Sequence, residues 1–66
     1  MSHLKKYRLK EDLRQRDLAA KLGVDQATIS KLESGVKLPS LELAFLIEDY
    51  TCSEVTARGW LQEGGS

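Results

Sequence analysis

Gly23 and Gly35 each stand just behind a short amphipathic segment, and this pair of stops most narrows what the chain can become. Glycine enters left-handed backbone without a Cβ clash, so it ends a helix and turns the chain in one step. Ahead of Gly23, the side chains of Leu18, Ala19 and Leu22 recur at helical spacing, which predicts a helix from Gln15 to Leu22. Behind it, Asp25 is a good N-cap for a further helix from Gln26 to Ser34, which Gly35 stops. Two short helices joined by a tight turn are the core of a helix-turn-helix.

The flanks are helical too. A first helix is predicted from His3 to Asp12, with Leu4 and Tyr7 one turn apart on a buried stripe. Val36-Lys37-Leu38-Pro39 reads as a connector, because proline biases the residue before it away from helix. Ser40 caps a fourth helix from Leu41 to Tyr50, and a last short helical turn follows Thr56 through Trp60 and Leu61. With almost no strand signal, the expected fold class is all-α, a compact bundle of four to five helices. A length of 66 residues gives one core. A chain this short buries only about 60% of its unfolded surface, so its stability is marginal. One domain over residues 3–61 is expected, with a flexible tail over 62–66.

Several function classes fall away. No stretch approaches the ~20 apolar residues of a membrane span, and residues 1–7 lack the apolar run of an export signal. The lone Cys52 excludes an internal disulfide and fits a reducing compartment, so a cytoplasmic, nucleoid-associated location is expected. Cys52 reads as a small buried or loop thiol rather than a redox switch, and His3 as an exposed residue at a helix start. As the only soft ligands, they make no metal site. Without a nucleophile–base pair or a phosphate-binding loop, neither an enzyme, a cofactor nor a small-molecule substrate is expected.

Charge points to a polyanion. The net charge is zero, but nine of the ten basic residues lie in residues 1–37, against five acidic ones, a balance of +4. Residues 38–66 carry Arg58 against Glu42, Glu48, Asp49, Glu54 and Glu63, a balance of −4. Lys5, Lys6, Lys10, Arg14, Arg16 and Lys21 are candidates for a phosphate-binding flank, although helices also need polar exteriors.

The third helix carries the sharpest signal. At about 100° per residue, Ile29 and Leu32 fall together toward the core. Gln26, Ala27, Ser30, Lys31 and Ser34 lie opposite, a short-chained face with one positive charge and no carboxylate. Such a face suits a major groove. The Gln26 amide matches adenine N6 and N7, Lys31 matches guanine O6 and N7, and Ala27 offers contact to a thymine methyl.

These residues resemble the Cro/C1-type helix-turn-helix family of phage repressors and bacterial regulators. The resemblance runs from Leu4 to Tyr50. It rests on Gln15-Arg16-Asp17-Leu18-Ala19, the Gly23 turn, Ile29-Ser30-Lys31-Leu32-Glu33-Ser34-Gly35 and Pro39-Ser40-Leu41. It implies a lambda-repressor-like bundle that binds double-stranded DNA. It further implies that Gln15 bonds a phosphate and braces the recognition helix, and that Gln26, Ala27, Ser30 and Lys31 read bases. Ser34 and Lys37 would contact phosphates, and Arg8 and Glu33 would form an internal salt bridge.

The sequence departs from the family at two positions. Arg14 stands where Ser or Thr usually caps the second helix, which forgoes about 1 kcal/mol. Asp17 offsets part of this through the helix dipole, and Arg14 is itself a candidate phosphate contact. Ala27 replaces a commonly polar base reader.

On the fourth helix, Leu43, Leu46 and Tyr50 form one apolar stripe, and Leu41 and Phe45 lie away from it. One stripe should face the core, leaving the other for a fifth helix or a second subunit. Leu43, Leu46, Tyr50 and Trp60 are the candidate dimer contacts, with Trp60 either a core plug or a dimer anchor. The function expected is a repressor that binds a pseudo-palindromic operator as a homodimer, a dimer that could form only on DNA. Two recognition helices would then enter grooves about 34 Å apart. The alternative is an antitoxin that binds both a toxin and its operator, and a third reading is a helix-turn-helix used for protein contacts alone.

Overall fold

In the structure, a computed structural model describing residues 2–64 (side-chain surroundings through residue 60), five helices follow one another: α1 His3–Lys10, α2 Gln15–Leu22, α3 Gln26–Ser34, α4 Leu41–Tyr50 and α5 Ala57–Gly64. No strand forms among the described residues. Each start has a local chemical cause. The side chains of Ser2, Asp25 and Ser40 accept from the backbone N–H groups of Lys5, Thr28 and Leu43, each satisfying an otherwise orphaned donor. Arg14 supplies no such acceptor. Instead the Asp17 carboxylate accepts the Arg14 backbone N–H at 3.1 Å, the reverse half of a capping box.

The first four helices end in one way. A residue in left-handed backbone follows the last turn, and its N–H and the next one bond back three and five residues. At Gly23 (φ 75°) the pair is Gly23 to Ala20 and Val24 to Ala19. At Gly35 (φ 81°) it is Gly35 to Leu32 and Val36 to Lys31. This is the Schellman arrangement. Asp12 (φ 57°) and Cys52 (φ 53°) close α1 and α4 by the same pattern without glycine. The first helix therefore stops at Lys10 rather than Asp12, because Asp12 has left helical backbone. Asp tolerates that region through its short polar side chain.

All five helices feed one core. Leu4, Leu18, Ala19, Leu22, Ile29, Leu32, Ala44, Ile47, Val55 and Trp60 are buried together. The inward face of α4 is the row Ala44, Ile47 and Thr51, which runs between the two stripes read from its sequence. Small Ala44 permits close approach. The buried Thr51 hydroxyl donates to the Ile47 carbonyl at 2.8 Å and accepts the Val55 N–H at 3.1 Å, so its polarity is satisfied inside. Leu43 and Tyr50 are half-buried at the margin, Tyr50 meeting Tyr7 of α1 edge-on with ring centroids 6.2 Å apart.

Glu48 accepts the Ala57 N–H at 2.7 Å, and Thr56 caps α5 through the Gly59 N–H. α5 is longer than the short turn expected and includes 62–64 of the stretch assigned to a tail; residues 65 and 66 lie outside the described residues. Trp60, 4% exposed, is the core plug of its two expected roles.

Candidate nucleic-acid interface

The outer face of α3 is built from beneath. Ile29 and Leu32 are buried, and Gln26, Ala27, Ser30, Lys31 and Ser34 are all exposed on the other side. Asp25 fixes the start of the helix by accepting the Thr28 N–H at 2.8 Å and the Thr28 hydroxyl at 2.6 Å. These bonds, the hydroxyl's first and the backbone's second, hold the Asp25 carboxyl below its usual range, with smaller help from Lys31 and Lys37.

A run of hydrogen bonds ties this face to the rest of the fold. Glu33, in the last turn of α3, receives Arg8 Nε on Oε2 at 2.7 Å and Arg8 Nη2 on Oε1 at 3.0 Å. Arg8 Nη1 also donates to the Leu13 carbonyl at 2.9 Å, so one guanidinium joins α1, the α1–α2 loop and α3. The two side chains are 11% and 4% exposed, and the bond to Glu33 leads in raising the Arg8 pKa further above its ordinary value. The expected internal salt bridge is thus present as a two-pronged pair, the stronger geometry for arginine and carboxylate.

Gln15 extends the run outward. Its Nε2 donates to Glu33 Oε1 at 3.1 Å, and its Oε1 accepts Gln26 Nε2 at 3.5 Å. An amide nitrogen has two hydrogens, so Gln15 can brace α3 with one and keep the other for a phosphate. Gln26 likewise keeps its carbonyl and a second N–H, the pair that an adenine edge requires.

The phosphate candidates divide. Arg14 and Arg16 share a shallow depression with Arg8, Leu13, Gln15 and Gln26, which places Arg14 beside the N-terminal end of α3. Lys37 is exposed in the connector just beyond α3. Ser34 is also exposed, but its hydroxyl donates to the Lys31 carbonyl of its own helix at 3.1 Å.

Residues 4–51 match the helix-turn-helix family profile. The chain belongs to the helix-turn-helix family of the Cro/C1 type. That is a family of DNA-binding transcription regulators, not of enzymes. This helix-turn-helix chain is 51% identical over 47 residues to an uncharacterised HTH-type transcriptional regulator of Methanocaldococcus jannaschii, a match covering 71% of each protein. No solved structure gives a significant match. Among the described residues, no helix is long and apolar enough to cross a membrane.

The sequence left open which of the two α4 stripes of this helix-turn-helix domain stays outside, and the structure leaves Leu41 and Phe45 there. Of the four candidate dimer contacts, Leu43, Tyr50 and Trp60 pack within the chain, and Leu46 is exposed at a margin of α4. The larger exposed apolar group is Val36, Leu38, Leu41 and Phe45. What the sequence reading did not add to the Leu41–Phe45 row is the pair of apolar connector residues next to it, Val36 and Leu38.

Proposed function

We propose that the chain is a sequence-specific repressor of the Cro/C1 type, binding a pseudo-palindromic operator as a homodimer with α3 in the major groove. The observation that carries this reading is the carboxylate-free face of α3, held rigid from below by Ile29 and Leu32 and at its edge by Gln15 and Glu33. A tethered side chain loses less freedom on meeting a base, so more of its bond energy goes into discrimination. Gln26 and Lys31 read base edges, Ala27 contacts a thymine methyl, and Ser30 offers a hydroxyl at the same surface. Gln15, Arg14, Ser34 and Lys37 hold phosphates, and Ser34 must turn its hydroxyl away from Lys31 to donate to one. Repression follows from occupying a promoter, with no chemical step.

Selection from a random duplex pool, followed by titration on the recovered site and a scrambled duplex at several salt concentrations, tests the proposal. A recovered two-fold sequence, bound at least about a thousandfold more tightly than the scramble, is the expected result. Equal affinity for both duplexes would remove the reading role of α3.

A further inference from the structure

A groove of about 300 Å³ runs between the α3–α4 connector and α5, at the low end of the range for small-molecule sites. Leu38, Leu41 and Ala44 line it from the connector and α4, and Ala57, Arg58 and Trp60 line it from α5. Two groups of this lining are unsatisfied. Trp60 is 4% exposed, and its Nε1–H has no acceptor among the described residues. A buried donor left bare is costly, and native structures seldom contain one. Arg58 is exposed and makes no ion pair or side-chain hydrogen bond among the described residues. It is the one basic residue beyond Lys37, so it stands apart from the candidate phosphate contacts.

Water answers the Trp60 donor poorly. A held water needs about two to four polar partners, and Arg58 is the only other residue of the lining with a polar side chain. Like the indole, a guanidinium has only hydrogens to give. Two donors with no acceptor between them call for a ligand that brings oxygen. A neutral oxygen would satisfy the indole alone, whereas a carboxylate has two oxygens and the charge opposite to that of Arg58. The rest of the lining asks for hydrocarbon. Leu38 and Leu41 are 50% and 70% exposed, and covering them removes apolar area from water. We infer that the groove binds a small apolar monocarboxylate, its carbon chain along Leu38, Leu41 and Ala57 and its oxygens shared by the Trp60 Nε1–H and the Arg58 guanidinium.

The site makes no use of α3. Its cation and its indole donor both lie on α5, and none of the base-reading or phosphate candidates lines it. An apolar lining is wrong for a phosphate, which needs polar partners around all its oxygens. A carbon chain of about ten atoms suits a groove of this size. Binding therefore stands independently of the proposed operator role.

Trp60 is the only tryptophan, so in the isotope-labelled full chain its indole N–H gives one isolated NMR cross-peak. Titration with decanoate, kept below micelle formation, is expected to move that peak downfield. The shift should saturate with a Kd on the order of 0.1 mM, an ordinary efficiency for about a dozen non-hydrogen atoms. Decanol, the same carbon chain without the charge, should bind at least about fivefold more weakly, and decylammonium should give no saturable shift. Arg58→Gln should weaken decanoate at least about fivefold and leave decanol unchanged, because only the charge pairing is lost. Leu41→Glu, at another exposed position, should abolish decanoate binding with unchanged circular dichroism. An indole peak that stays still up to about 2 mM decanoate would overturn the inference. So would equal affinity for decanoate and decanol, or shifts spread over every helix, which would mark the probe as a detergent.

Discussion

Gln15 Nε2 donates to Glu33 Oε1 at 3.1 Å, joining the first residue of α2 to the last turn of α3. The same carboxylate holds Arg8, and Gln15 in turn accepts from Gln26, so the exposed Gln26 amide is connected to α1 through three side chains. Stability and the proposed readout therefore share one carboxylate, and the consequences can be separated by substitution.

Glu33→Ala is expected to destabilise the fold by about 2 to 4 kcal/mol, since it strands a largely buried guanidinium and frees Gln15. A chain of this size has on the order of 3 to 10 kcal/mol in total, so thermal unfolding should shift by many degrees. Replacing both partners, Arg8→Met with Glu33→Leu, should recover most of that loss. Melting curves that leave the double variant as unstable as the single one would contradict this account.

Gln26→Ala and Lys31→Ala should each cost about 1 to 3 kcal/mol on the selected operator and far less on scrambled DNA. Lys37→Ala should weaken both duplexes alike and reduce the magnitude of the salt slope by about 1. Fluorescence anisotropy titrations distinguish the two behaviours. Equal losses on both duplexes for Gln26→Ala would assign it to the backbone.

Arg14→Ser sets a cap against a cation. A serine at this N-cap can accept from the α2 backbone and should add about 1 kcal/mol to stability, raising the melting temperature. The same change removes a positive charge from the depression beside Gln15 and Gln26, so DNA affinity should fall with a shallower salt slope. Unchanged DNA binding would show that Arg14 faces only solvent.

Cys52→Gly should stabilise by about 0.5 to 1 kcal/mol, the left-handed penalty of a non-glycine residue less the extra freedom of glycine in the unfolded chain. Asp12→Gly should gain less, because aspartate already tolerates this backbone. Urea denaturation of the two variants, compared on one scale, measures the difference. A larger gain at Asp12 would contradict the ordering.

Asp25 gives the fold an acid-sensitive component. Its carboxyl is lowered from an ordinary 3.8, so the contribution is complete above that value and is lost as pH falls through the folded-state pKa. Asparagine caps about as well without titrating, so Asp25→Asn should change little near neutrality and flatten the decline below about pH 4. Melting temperature against pH for both proteins provides the check. Parallel curves in acid would place the sensitivity elsewhere.

Much of this protein is written in short-range chemistry. Gln15–Leu22, Gln26–Ser34 and Leu41–Tyr50 occupy the predicted bounds because Gly23, Asp25, Gly35 and Ser40 act on their own neighbours within five residues. The outward placement of Gln26 and Lys31 also follows from the sequence, since helical spacing alone sets them opposite Ile29 and Leu32. The Arg8–Glu33 pair came through family resemblance, not through any local rule.

Other features needed the assembled fold. Asp12 ends α1 early by taking a backbone state that aspartate only sometimes adopts, and Asp17 receives the Arg14 N–H instead of acting through the dipole alone. On α4, three apolar rows compete for the interior. Hydrophobicity cannot rank them, because Ala44 and Thr51 win by fitting close against their neighbours rather than by being the most apolar. Local sequence therefore determined where the helices start and stop and which face of α3 meets water. Only tertiary packing decided which side of α4 stays exposed, because that depends on the shape of surfaces brought together from distant parts of the chain.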